Sequence, residues 1–130
     1  MLHKISFIER YKKRVLDVYA QNPENLKDFI KQDSIILNIQ RAIEACVFLA
    51  MYIVSQERLG LPQTTQEAFD MLHSNSIIDE EIANRMKAMV DFRNIAIRDY
   101  QDIDLNILQQ IIDKHIEDFT SFTKQISGYY

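Results

Sequence analysis

Arg93, Asn94, Arg98 and Tyr100 stand close together in the run RNIAIRDY, inside the longer segment IANRMKAMVDFRNIAIRDY. A guanidinium can clamp a phosphate oxygen and stabilise negative charge as it develops. Ile82, Met86, Met89, Arg93, Ala96 and Tyr100 recur at alternating steps of four and three, the spacing of one helix face. Arg93 therefore sits in an apolar stripe. A guanidinium keeps its charge under all ordinary conditions, so in that place it needs an acidic partner, a cleft or a bound anion. Pattern alone leaves two readings open: Arg93 pairs with an internal carboxylate and Tyr100 packs at a helix end, or the segment is a site for an anionic substrate.

The run RNIAIRDY resembles the R-N-x-x-x-H-x-Y signature of the HepT family, ribonuclease toxins of the HEPN superfamily encoded beside MntA-type nucleotidyltransferase antitoxins. Arg93 and Asn94 match the R-N pair, Tyr100 matches the tyrosine, and Arg98 stands where the family has histidine. The resemblance extends through QDSIILNIQRAIEACVFLA, LGLPQTTQEAF and DYQDIDLNIL, and so covers the whole chain. It implies metal-independent RNA cleavage, with Arg93, Asn94 and the residue at position 98 as catalytic residues. It also implies a homodimer whose cleft takes motif residues from both protomers, and AMPylation of Tyr100 by an MntA-like nucleotidyltransferase antitoxin as the means of silencing. Arg98 cannot act as the base that a histidine would supply, so a catalytically impaired toxin is expected. The alternative is a non-catalytic helical module that binds RNA or its antitoxin.

The positions also set a geometric condition. Five residues correspond to roughly 140° around a regular helix, so positions 93 and 98 face different ways on one helix. A second protomer would bring them into one groove.

The elements that must position this segment are helices. The chain has 130 residues, enough for one domain with its own core, and 47% of them are hydrophobic, with only two Gly and two Pro. So little turn-forming material favours long helices over a multi-stranded sheet. The expected fold is all-α, an antiparallel up-and-down bundle of four long helices and one short one. The first helix is expected from Ile5 to Tyr19, with Ile8, Tyr11, Val15 and Val18 inward. NLKDF forms a short turn after Pro23. The second helix begins at Asp33 or Ser34 and ends at Arg58, before Gly60 and Pro62. Thr64 and Glu67 form a capping box for the short third helix, which ends near Asn75. Asp79 caps the fourth, and the fifth starts at Asp104 and runs to about Ser127 with Leu105, Leu108, Ile112, His115, Phe119, Phe122 and Ile126 on one stripe.

Other candidates carry less. The net charge of -4 and pI near 5.3 argue against a protein that coats nucleic acid by bulk electrostatics, so any RNA contact is local. The RYKKR cluster, with Arg10, Lys12, Lys13 and Arg14, could meet phosphate but reads first as the solvated face of an amphipathic helix. Cys46, the one cysteine, falls on an apolar face and is expected to be an inert thiol in a reducing compartment. His73 has no second ligand at metal spacing, and His115 reads as a hydrogen-bonded core histidine before it reads as an acid or base. No cofactor, metal site, signal peptide or membrane span is expected, and the location expected is cytoplasmic.

Overall fold

Thirteen buried residues of a single helix, from Ile35 to Val54, form the spine around which the other elements pack. The structure is a computed structural model and describes residues 1–129. Six α-helices occur among the described residues: α1 Leu2–Tyr19, α2 Phe29–Gln56, α3 Thr65–Ser74, α4 Glu80–Arg98, α5 Leu105–Gln110 and α6 Asp118–Tyr129. Short 3-10 turns at Pro23–Lys27 and Tyr100–Asp102 join α1 to α2 and α4 to α5, and a π turn at Ile111–His115 joins α5 to α6. No strand occurs among the described residues, as the scarcity of Gly and Pro led us to expect.

Side chains that cross between helices fix their directions. Lys12 donates to Glu117 at 2.7 Å while Thr120 donates to Glu9 at 2.7 Å, so α1 and α6 run antiparallel. Arg85 donates to Asp118 and Gln125 donates to Asp79, which sets α4 antiparallel to α6. Gln66 bridges to Asp91 and Lys87 to Asp70, giving the same relation between α3 and α4.

The apolar surface of α2 is covered by α1, α3, α4 and α6. By length and composition α2 could cross a membrane, but most of its apolar stretch is buried inside the bundle, as in the core helix of a soluble domain. Phe69 of α3 and Phe122 of α6 meet edge to face at 5.5 Å, and Phe119 is also fully buried. Burying each such side chain contributes about 1.5–3 kcal/mol.

Three helix starts follow the expected capping chemistry. The side chains of Thr64, Asp79 and Asp104 accept hydrogen bonds from the backbone N–H groups of Glu67, Ile82 and Asn106. The reciprocal half of the capping box is shifted by one residue, since the Glu67 carboxylate accepts from the Gln63 N–H.

Three expectations about helix limits are corrected. The second helix begins at Phe29, not at Asp33 or Ser34, because the Asp28 side chain accepts from the Lys31 N–H and caps the chain a turn earlier. It ends at Gln56, where Arg58 turns left-handed with φ 54°, rather than continuing to Arg58. The fifth helix is not continuous. The π turn divides it, and the buried apolar residues are Leu108, Ile111, Ile112, Ile116, Phe119, Phe122 and Ile126, with Leu105 and His115 only partly covered.

Candidate active site

Helix α4 presents the motif. Ile82, Met86, Met89 and Ala96 are buried along the expected stripe, and Phe92 is buried beside it. Arg93 lies on this stripe, half-buried, where the helix begins to leave the bundle. Its Nη2 donates to the Asn94 side-chain oxygen at 3.0 Å, and its Nε is enclosed without a partner among the described residues. No carboxylate among the described residues pairs with it. The internal ion pair that pattern alone allowed is therefore absent among the described residues, and the charge stays open to an external anion.

Arg98 is the last residue of α4 and is exposed, where its charge favours the carbonyl end of the helix. Asn94 and Arg98 share one side of α4, one turn apart, while Arg93 and Ile97 share the next. Within one chain Arg93 and Asn94 are brought together, and Arg98 is not brought to Arg93. Ile95 and Ile97 are both exposed, so the end of α4 mixes open charge with open apolar surface.

Tyr100 departs from the expected stripe. The helix stops at Arg98, Asp99 takes a non-helical conformation, and Tyr100 opens the 3-10 turn that follows. The side chain is 39% exposed, and its hydroxyl donates to the Asp33 carboxylate on α2. Partial burial, then the hydrogen bond and negative charge of Asp33, push the phenol pKa up to about 12. Asp33 was read from the sequence only as a helix cap. Nothing in its spacing joins it to Tyr100, because that contact exists only after α2 and the end of α4 have packed. The pair opens on a groove of about 520 Å³ lined by Phe29, Gln32, Gln101, Ile103 and Leu105.

The remaining candidates have structural surroundings. Asp118, only 3% exposed, accepts from Arg85 at 2.9 Å, and Arg85 also reaches Glu81 at 2.6 Å. The hydrogen bonding with Asp118, ahead of its charge, raises the Arg85 pKa. His115 Nδ1 stands 3.3 Å from the other Asp118 oxygen without a formed hydrogen bond. His73 places Nδ1 3.4 Å from the Ile78 carbonyl. Cys46 is fully buried, and burial, with a smaller effect from Glu9, pushes its thiol pKa up and away from nucleophilic use. Among the described residues, no cluster of three or more His, Cys, Asp or Glu is placed to hold a metal ion.

Comparison with known proteins decides the lineage. A family model described as ribonuclease HepT-like matches residues 1–126. The chain belongs to this HepT-like family. It is 40% identical over 128 residues to the mRNA nuclease HepT of Shewanella oneidensis, covering 98% of this chain and 96% of that protein. It is also similar to the solved tri-AMPylated Shewanella oneidensis HEPN toxin in complex with MNT antitoxin, with a TM-score of 0.93 and 40% identity over 98% of this chain and 96% of that one. A toxin-antitoxin complex solved with AMP-PNP gives a TM-score of 0.94 at 38% identity, again over 98% and 96% of the two chains.

Proposed function

We propose that this HepT-like chain is the toxin of a HEPN/MNT toxin-antitoxin pair, built to cleave RNA without a metal in a groove between two protomers. We further propose that it is silenced when an MntA-like nucleotidyltransferase attaches AMP to Tyr100. The observation that carries the catalytic half is Arg93, a half-buried guanidinium with an enclosed Nε and no acidic partner among the described residues. A scissile phosphate would supply the missing anion.

In the cleavage reaction a ribose 2′-oxygen attacks the adjacent phosphorus and the bond to the 5′-oxygen breaks, giving a cyclic phosphate and a free 5′-hydroxyl. Arg93 would stabilise the negative charge on the pentacoordinate phosphorus, with Asn94 orienting it through their hydrogen bond. Proton transfer from the 2′-hydroxyl needs a base, and a guanidinium is not one. Arg98 at that position is the reason to expect an impaired enzyme, and it favours the second reading, a module that holds RNA or antitoxin without cutting. The exposed Ile95 and Ile97 beside the motif support the dimer, since a second copy would cover them and bring another motif to the groove.

The silencing half rests on Tyr100 and Asp33. The Tyr100 oxygen would attack the α-phosphorus of ATP, the bond to pyrophosphate would break, and the phenol proton would pass to Asp33, which already accepts it as a hydrogen bond. The attached phosphodiester and nucleoside would add an anion and bulk next to the motif and obstruct RNA. A cytoplasmic location fits an RNA substrate and the buried, unpaired Cys46. Incubating total RNA with the chain and with its Arg98→His form, with and without chelator, tests the catalytic half. Cleavage restored by histidine and lost again on Arg93→Ala supports the reading, and equal cleavage by both forms removes the role assigned to position 98.

A further inference from the structure

The face formed by α1 and α2 carries an exposed aromatic surface that the catalytic reading leaves unused. On α1, Phe7 and Tyr11 stack with centroids 6.3 Å apart at 23°, and on α2, Phe48 and Tyr52 stack at 6.5 Å and 9°. Phe48 is 51% exposed and Tyr52 43%, so these rings are not core residues seen from outside. Cations interleave with them. Lys4 Nζ lies 4.6 Å from the Phe48 ring centre, and the Arg10 guanidinium lies 5.4 Å from that of Phe7. Between the two helices runs a groove of about 290 Å³, floored by Ala45 and bordered by Lys4, Tyr11 and Arg41.

The charges of this surface are sorted. In the RYKKR cluster, Lys12 is held by Glu9 and Glu117, and Lys13 by Asp17. Lys4, Arg10, Arg14 and Arg41 form no ion pair among the described residues, and the carboxylate lining the groove, Glu44, accepts from Gln40. In a chain of net charge -4, unpaired cations around open rings mark one face as complementary to a polyanion that also offers flat apolar surfaces. None of these residues lies on α4.

We propose that the α1–α2 face is a stacking platform for single-stranded RNA, separate from the cleavage groove, which holds the substrate strand while α4 acts on it. The proposal rests on RNA being the substrate, and it adds where the strand is held. Unpaired bases stack on Phe48, Tyr52 and Phe7, and Lys4, Arg10 and Arg41 meet the phosphates. Single strands are favoured over duplex because only unstacked bases can offer their faces to the rings.

Fluorescence anisotropy with a labelled oligouridylate of about a dozen nucleotides tests this at low salt. The Phe48→Ala, Tyr52→Ala double variant is expected to weaken binding about tenfold or more, and Phe48→Tyr to retain it. Arg41→Ala is expected to reduce the slope of log K against log salt by roughly one. These positions are exposed, and an unchanged circular dichroism spectrum verifies that the variants fold. Parent-like RNA binding by the double variant overturns the platform, as does an absence of binding by the parent. So does an outcome in which the double variant keeps RNA but loses self-association or antitoxin, since the face is then a protein interface. Cleavage by the Arg98→His form is measured in the same series. Loss of the platform with cleavage intact refutes this inference alone, whereas RNA held on the platform without cleavage refutes the nuclease reading alone.

Discussion

The hydroxyl of Tyr100 donates to the carboxylate of Asp33, tying the turn that follows the motif helix to the beginning of the central helix. This contact fixes both the direction in which the hydroxyl points and the group that would receive its proton. Incubation with an MntA-like nucleotidyltransferase, ATP and magnesium should raise the mass of the chain by whole AMP units. Tyr100→Phe should abolish the gain, and Asp33→Asn should slow it about a hundredfold or more, the scale on which positioned general bases act. A label found on another tyrosine would remove Tyr100 from the scheme.

The same contact predicts a pH effect. The folded phenol has a pKa of about 12 against an ordinary value of 10.0, so the folded state holds this proton more tightly than the unfolded one. Its contribution to stability is complete below pH 10 and is lost as pH rises from 10 toward 12. Phenolate absorbance during alkaline titration should show this tyrosine ionising late, and Asp33→Asn should bring it earlier. A Tyr100→Phe variant whose alkaline unfolding shifts less steeply than the parent's over this range is the expected companion result.

For catalysis, Arg98→His should increase cleavage of total RNA by a factor on the order of a hundred or more. Adding Arg93→Ala to that form should return it to background. RNA binding should be measured separately, because the extra positive charge of Arg98 can hold RNA without cutting it.

The exposed end of α4 predicts association. Sedimentation at micromolar concentration should give a two-fold dimer, and Ile97→Glu should shift it toward monomer while leaving the helical content unchanged. A parent chain that sediments as a monomer would leave Arg93 and Arg98 on separate faces and the composite groove without support.

The Arg85–Asp118 pair predicts an asymmetry in stability. Asp118 is buried and Arg85 is partly exposed and backed by Glu81, so removing the arginine leaves an enclosed carboxylate, while removing the carboxylate leaves a cation that can turn to water. Arg85→Met should therefore lower the urea midpoint more than Asp118→Asn does. Equal shifts would show that the carboxylate finds another partner, with His115 the nearest.

Much of this was legible in the sequence because the information was local. Thr64, Asp79 and Asp104 cap helices through contacts two or three residues away, and the stripe of Ile82, Met86, Met89 and Ala96 is a property of one helix. The early start of α2 was missed because Asp28 and Asp33 are equally good caps by type, and packing chose between them. Periodicity sets Tyr100 on the stripe, while the flanking Asp99, Gln101 and Asp102 favour the break that the structure shows there; its partner Asp33, 67 residues away in sequence, leaves no such local signal. The π turn likewise leaves no mark in an apolar pattern that tolerates steps of three or four.

That π turn, Ile111–His115, has a consequence for how the chain can be edited. A single π turn is the form a regular helix takes when it accommodates one residue beyond its winding, so the rod from Leu105 to Tyr129 contains a spare position. Deleting the exposed Lys114 should let the rod return to ordinary winding with Leu108 above and Phe119 below still facing the core. Deleting one residue from the middle of α2, such as Ile43, instead rotates everything beyond it by roughly 100° and should unfold the domain. Circular dichroism of the two deletions would separate them. The C-terminal rod is thus where this fold can change in length by one residue and keep its shape.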